Sequence, residues 1–203
     1  MSEQISDNIY PQFEKMVPRS QREQRLGQRS HVFWLCGLSG SGKTTLSVGL
    51  EHTLFAQGYC AQVLDGDNIR SGLNKDLGFS LADREENIRR IAEVARLFAH
   101  AGVIVIASFI CPTEELRKLA REIIGAENFS EIYIKASYET CAARDPKGLY
   151  AKVNRGSVGN FTGKDAVFEE PQTPDLLIDT EAKPVDKCLE SLNTYAQSKI
   201  GLT

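Results

Sequence analysis

Eight consecutive residues constrain this chain more than any others: Gly37-Leu38-Ser39-Gly40-Ser41-Gly42-Lys43-Thr44, with Thr45 directly after them. They match the spacing G-x-x-x-x-G-K-[ST], and the flanking pattern is the one that motif requires. His31 to Cys36 is a short apolar run ending at Gly37, the signature of a buried strand. Thr44 to Gln57 carries Leu46, Leu50 and Leu54 at helical spacing and stops at Gly58. A glycine turn between strand and helix lets backbone N–H groups face inward, and the helix N-terminus adds partial positive charge. Lys43 is then placed to reach the β- and γ-phosphates of a nucleoside triphosphate, and the Thr44 hydroxyl to ligate Mg2+. A flexible turn without a ligand is the plainer alternative.

The remainder of the chain repeats the alternation. Strands are expected at Cys60–Leu64, Val103–Ser108, Glu131–Ile134 and Leu176–Asp179, and helices at Glu85–Ala101, Glu114–Ile124 and Val185–Gln197. Strands alternating with helices predict an α/β fold of the P-loop NTPase or kinase class, a parallel sheet with helices on both faces. Residues 1–30 are polar and interrupted by Pro11 and Pro18, and read as an arm before a kinase domain at 31–203, with a short helix at Ser20–Gly27. Residues 145–174 break the rhythm. Gly148, Gly156, Gly159 and Gly163 are interspersed there with Lys147, Lys152, Arg155 and Lys164, and a basic lid loop over phosphates is expected.

Charge narrows the partners. The net charge is −3, so no global basic field marks the chain for nucleic acid, and an anionic substrate must be held by local cations. No apolar run is long enough to span a bilayer, and the polar N-terminus lacks the apolar stretch of a signal peptide. The five cysteines form no C-x-x-C pair and mostly sit in or beside apolar segments, which points to structural thiols in a reducing cytoplasm. A GTPase would need N-K-x-D after a late strand. Asn74-Lys75 follows the second strand and Leu77 takes the aspartate position, so that class is excluded.

The acceptor side lies where strands end. Asp65-Gly66-Asp67 closes the second strand next to the glycine turn, and two carboxylates there can divide the work. One orients Mg2+ and its waters, the other takes a proton from an attacking hydroxyl. A surface Asp-Gly turn is the bland reading. Arg70 adds a planar donor for an anionic oxygen. Phe79 can stack on a base or pack in the core. Arg84 and Asn87 fall on one helical face and can hold an anion together, while Asp83 reads as the cap of that helix. Ser108 ends the third strand, where its hydroxyl can touch a phosphate, accept one, or only bond the turn.

Together these segments resemble the adenylylsulfate kinases in their stand-alone form. The resemblance rests on the glycine turn through Thr45, on Leu64–Arg70, Leu77–Phe79, Asp83–Arg90, Ser108–Ile110, Arg144–Tyr150 and Phe161–Gly163, in the expected order. It implies ATP and adenosine 5′-phosphosulfate (APS) as substrates, Mg2+ as cofactor and a homodimer. It further implies that Gly37 to Thr45 and Arg144 bind ATP and that Phe79 and Phe161 clamp the adenine of APS. Arg70, Arg84 and Asn87 would hold its phosphosulfate, with the Ile110 backbone, Lys147 and Leu149 lining the pocket. Asp67 would be the base or hydroxyl-orienting group, with Lys43 assisting transfer and Asp65 supporting Mg2+. Ser108 matches a serine labelled in this family as a phosphoserine intermediate. Direct in-line transfer is nonetheless the expectation, because the cradle, Mg2+ and a carboxylate suffice and no base beside Ser108 is evident in the sequence. The lid departs from the family pattern at Ala151, Asn154 and Lys164.

Overall fold

The computed structural model describes residues 10–12, 15–154, 161–164 and 166–202. Five parallel strands form one sheet: β1 (Val32–Cys36), β2 (Ala61–Asp65), β3 (Ile104–Ser108), β4 (Phe129–Lys135) and β5 (Leu176–Asp179). Their spatial order is β2-β3-β1-β4-β5. The central strand β1 is buried along its whole length, and successive side chains serve opposite layers. Val32, Trp34 and Cys36 pack with Ile88, Ile91 and Ala95 of helix α4 (Leu81–His100) and with Ala120 and Ile124 of α5 (Glu114–Ile124). Phe33 and Leu35 face the other way, onto Leu46, Leu50 and Leu54 of α2 (Lys43–Ala56) and Leu192 and Ala196 of α8 (Val185–Ile200). A strand covered on both faces has no use for polar alternation, which is why it reads as an unbroken apolar run.

Several boundaries differ from the sequence expectation for local reasons. Helix α4 starts at Leu81 rather than Glu85, because Ser80 is its cap: the Ser80 hydroxyl accepts from the Asp83 N–H at 3.1 Å, and the Ser80 N–H donates to the Asp83 carboxylate. Asp83 is thus the reciprocal third residue of a capping box, not the cap itself. Asp67 lies within a short helix, α3 (Gly66–Ser71), and helices α6 (Tyr138–Arg144) and α7 (Leu149–Asn154) occupy stretches where none was expected. The segment read as a lid loop therefore contains a helical turn. Arg155, Gly156 and Gly159, part of the same expectation, lie outside the described residues, as does the whole stretch before Tyr10.

Residues 19–30 contact the sheet closely. Arg19 of α1 (Arg19–Leu26) donates to Asn128 and to the Ser30 carbonyl, and buried Gln28 donates to the carbonyls of Cys60 and Gly102. These bonds use carbonyls at the N-terminal approaches to β2 and β3, opposite the end where ligands bind.

A buried ion pair holds the loop after β3. Arg117, only 3% exposed, meets Glu131 at 2.9 Å and donates to the Cys111 carbonyl at 3.2 Å. Cys111 has φ 44°, a left-handed conformation that is strained for a side chain of its kind. Removing the guanidinium would leave a largely buried carboxylate with only the more distant Arg121, at 3.9 Å, and release that turn. Arg117→Ala is therefore expected to lower stability by about 3 kcal/mol, read as a lower urea midpoint at unchanged slope.

Candidate active site

The turn after β1 is shaped by what it must avoid. A Cβ at Gly37 would overlap the Ile134 carbonyl, so only glycine can leave the strand here. Gly40 and Gly42 take φ 82° and 102°, which turn the loop back toward the N-terminus of α2. The Gly37 N–H donates to the Ile110 carbonyl at 3.3 Å, joining the loops after β1 and β3. These two strands are neighbours in the sheet, and the helices that follow them, α2 and α5, pack on opposite faces, so the crevice between the strand ends is the ligand position of an open parallel sheet. The Ser41 hydroxyl is buried there without a hydrogen-bond partner, as expected of a cradle shaped for phosphate oxygens.

Lys43 is buried at the base of the cradle. Its ammonium donates to the Gly37 carbonyl at 2.9 Å and to the Leu38 carbonyl at 2.7 Å. Burial depresses its pKa from 10.5 to about 8. Next along α2, the Thr44 hydroxyl donates to one oxygen of Asp65 at 2.9 Å. The other Asp65 oxygen accepts from the Asp67 N–H at 3.1 Å and caps α3. A hydroxyl and a carboxylate in contact beside a phosphate cradle fit Mg2+, an ion that keeps most of its coordination for phosphate oxygens and water. Among the described residues, no cluster of three or more His, Cys, Asp or Glu could hold a metal ion by itself.

Asp67, in the first turn of α3, is exposed and ion-paired with Lys147. The lid lysine thus reaches the carboxylate expected to act on the acceptor. Arg144 donates to the Thr180 hydroxyl at 3.0 Å and the Thr180 carbonyl at 2.8 Å, and reaches the Gly40 carbonyl at 3.5 Å. It therefore lies against the cradle, as its expected role on the ATP side requires.

The acceptor residues gather around α4. The Arg70 guanidinium covers the Phe79 ring at 4.4 Å and donates to the carbonyls of Leu77 and Gly78. Arg84 donates to the Phe79 carbonyl and to the Thr162 hydroxyl, tying the Phe79 segment to the Phe161 segment. Burial, and then the nearby Arg70 charge, hold the Arg84 guanidinium below its ordinary pKa. Two partly desolvated cations close enough to repel each other form a subsite suited to a multiply charged anion. Asn87 is buried against Asn74. The two aromatics differ sharply: Phe79 is 61% exposed, whereas Phe161 is buried edge-on against Tyr150 at 4.9 Å, with Leu149 packed on the same cluster.

Ser108 is buried, and its hydroxyl has no hydrogen-bond partner among the described residues. A carboxylate does stand beside it, contrary to the sequence expectation: Asp65 is its register partner across β2 and β3. Both Asp65 oxygens are already engaged, with Thr44 and with the Asp67 N–H, and neither accepts from Ser108.

Three contributors were not singled out from the sequence. Thr180, just beyond β5, accepts from Arg144 and donates to the Ser41 carbonyl at 2.9 Å. Its place at a strand's carboxyl end was the available signal. Tyr150, whose hydroxyl donates to the Ser39 carbonyl at 2.7 Å, and Thr162 both sat inside motifs quoted above, but no spacing rule gave them roles. The cysteines are all free, and burial pushes the thiols of Cys36, Cys111, Cys141 and Cys188 up, away from reactivity.

A depressed lysine pKa has a signed consequence. The ammonium, not the amine, attracts phosphate, and in the free enzyme it is lost as pH rises through about 8. kcat/KM for ATP is expected to fall above that pH by about tenfold per unit. Lys43→Arg should flatten this limb, since guanidinium keeps its proton. A wild-type profile that stays level to pH 9.5 would refute the assignment.

Comparison with known proteins agrees with this geometry. The sequence profile of the family described as adenylylsulphate kinase matches residues 29–179. An adenylyl-sulfate kinase of Phocaeicola vulgatus is 52% identical over 94% of this chain and 92% of its own length. That of Bacillus licheniformis is 48% identical, over 92% of this chain and 94% of its own. Among solved structures, the Mycobacterium tuberculosis APS kinase CysC in complex with AMPPNP and APS is 42% identical, with a TM-score of 0.78 over 83% of this chain and 98% of that one. A Sinorhizobium meliloti gluconokinase, 17% identical with a TM-score of 0.52 over 84% of this chain and 98% of that one, shares the fold alone. With the profile covering most of the chain and close relatives covering nearly all of it, the protein belongs to the adenylylsulphate kinase family and is a kinase.

Proposed function

We propose that this kinase transfers the γ-phosphoryl group of ATP to the 3′-hydroxyl of APS, giving 3′-phosphoadenylyl sulfate and ADP. The observation that carries the reading is the Asp65–α3–Asp67 unit. One carboxylate touches Thr44 of the phosphate cradle, and the other, two residues on, faces the acceptor side and the lid. The neighbour solved with AMPPNP and APS supports the same pair of ligands.

In this reading the triphosphate lies on the N–H groups of the turn, with the Lys43 ammonium against its terminal phosphates. Thr44 and Asp65 would hold Mg2+, which would supply neutralising charge for the phosphates. Phe79 and Phe161 clamp the acceptor adenine, while Arg70, Arg84 and Asn87 hold the phosphosulfate. Asp67 takes the proton of the 3′-hydroxyl as its oxygen bonds to the γ-phosphorus and the bond to the β–γ bridging oxygen breaks. Lys147 leaves Asp67 for the phosphates when the lid, residues 145–174, closes. Ser108 takes no covalent part, because no carboxylate oxygen accepts from it. A homodimer is the assembly we infer from family resemblance, whereas the related Thiobacillus denitrificans enzyme is hexameric. The free thiols fit a reducing cytoplasm, and among the described residues no helix is long and apolar enough to cross a membrane.

The deciding experiment follows ADP release with APS beside gluconate, shikimate, AMP and dephospho-coenzyme A. Turnover at micromolar APS and none with the others is expected, and turnover with another acceptor would overturn the proposal. Asp67→Asn should lower kcat by about a hundredfold or more while leaving KM for APS within about threefold. The reverse pattern would assign Asp67 to binding.

A further inference from the structure

Asn74 lies in the turn between α3 and α4, and its side chain is completely buried. Its amide nitrogen lies 3.0 Å from the Asn87 side-chain oxygen and 3.5 Å from the Asn87 backbone carbonyl, while its own oxygen has no partner. The backbone oxygen, at 3.5 Å, favours one assignment of the two amide ends. A carbonyl only accepts, so the Asn74 atom turned toward it must be the nitrogen. The Asn87 atom in contact with that nitrogen must then be an oxygen, and the Asn87 NH2 group is directed away from Asn74. An asparagine left to itself offers an anion an acceptor as readily as a donor. Here only donors remain to be presented.

From this we infer that Asn74 is a positioning residue for anion recognition: it holds Asn87 in the one orientation that turns an NH2 group toward the phosphosulfate of APS. The inference rests on the role proposed above for Asn87. It also explains why a polar side chain stays fully buried with an unsatisfied oxygen, an arrangement that costs stability and that an apolar residue would avoid. Asn74 reaches no nucleotide itself. Its own backbone is bonded in the turn, its N–H to the Ile69 carbonyl at 2.9 Å and its carbonyl to the Leu77 N–H at 3.1 Å, so the amide is held from a rigid base.

The test is a double-mutant cycle on the full chain. Asn74→Leu keeps the branched heavy-atom outline, though it is bulkier, and removes the donor; Asn74→Ala is the second variant, should leucine fail to fold. Each is made with Asn87 intact and with Asn87→Ala, and KM for APS, KM for ATP and kcat are measured with APS and ATP as the probes. Loss of Asn74 is expected to raise KM for APS about tenfold, the size of one hydrogen bond to a charged group, with KM for ATP within about twofold. In the Asn87→Ala background, the same change should leave KM for APS where it was. A purely structural role would raise both KM values or lower the melting temperature equally in both backgrounds, and would overturn the inference. So would an unchanged KM for APS in Asn74→Leu when Asn87→Ala alone raises it. If Asn87→Ala itself leaves KM for APS unchanged, the Asn87 assignment falls first and takes the inference with it.

Discussion

The carboxylate of Asp65 is the junction on which the site depends. One oxygen takes the Thr44 hydroxyl and so touches the phosphate cradle; the other takes the Asp67 N–H and so starts α3. The position follows from the sheet. Strand β2 ends at this residue, its register partner is Ser108 at the end of β3, and β3 in turn lies beside β1, which delivers the glycine turn. A shift of one residue in β2 would turn the carboxylate to the other face of the sheet and separate the two halves. The apolar register in both core layers therefore sets the spacing between triphosphate and acceptor.

The described residues of the expected lid make several short contacts rather than one. Tyr150 bonds the Ser39 carbonyl while its ring meets Phe161 and Tyr138. Thr162 beside Phe161 accepts from Arg84, which also bonds the Phe79 carbonyl. A chain of neighbours thus runs from the cradle to both aromatics. Asp145, at φ 21°, accepts from the N–H groups of Tyr150 and Ala151 and so anchors the first turn of α7. A strained residue with such a bonding role is typical of a segment whose shape serves function before stability.

Much of this was legible beforehand, for identifiable reasons. The strands and the larger helices announce themselves through apolar periodicity, and the glycine turn announces its ligand because few other sequences satisfy the same backbone demands. What stayed hidden was held by particular side-chain bonds, some local and some across long separations. Ser80 displaces Asp83 as the cap only because the two side chains reciprocate. Helix α7 is six residues long and draws support from Asp145 and from packing under Phe161, neither visible in its own composition. Asn74 invited comparison with a guanine motif, yet its partner is Asn87, on a different element. Thr180 lies far along the chain from Ser41, the cradle residue whose carbonyl it meets.

The central strand has a consequence for how the molecule comes into being. All five residues of β1 are buried, and Val32 finds its partners only at Val105 and Phe129. During synthesis, a wholly apolar segment must leave the ribosome and remain unpaired while about half of the protein is still to be made. Parallel pairing across such separations is slow, because loop-closure entropy is spent before any contact rewards it. The strand that later carries the phosphate cradle is thus, for that interval, the stretch of the nascent chain most in need of shelter from its neighbours.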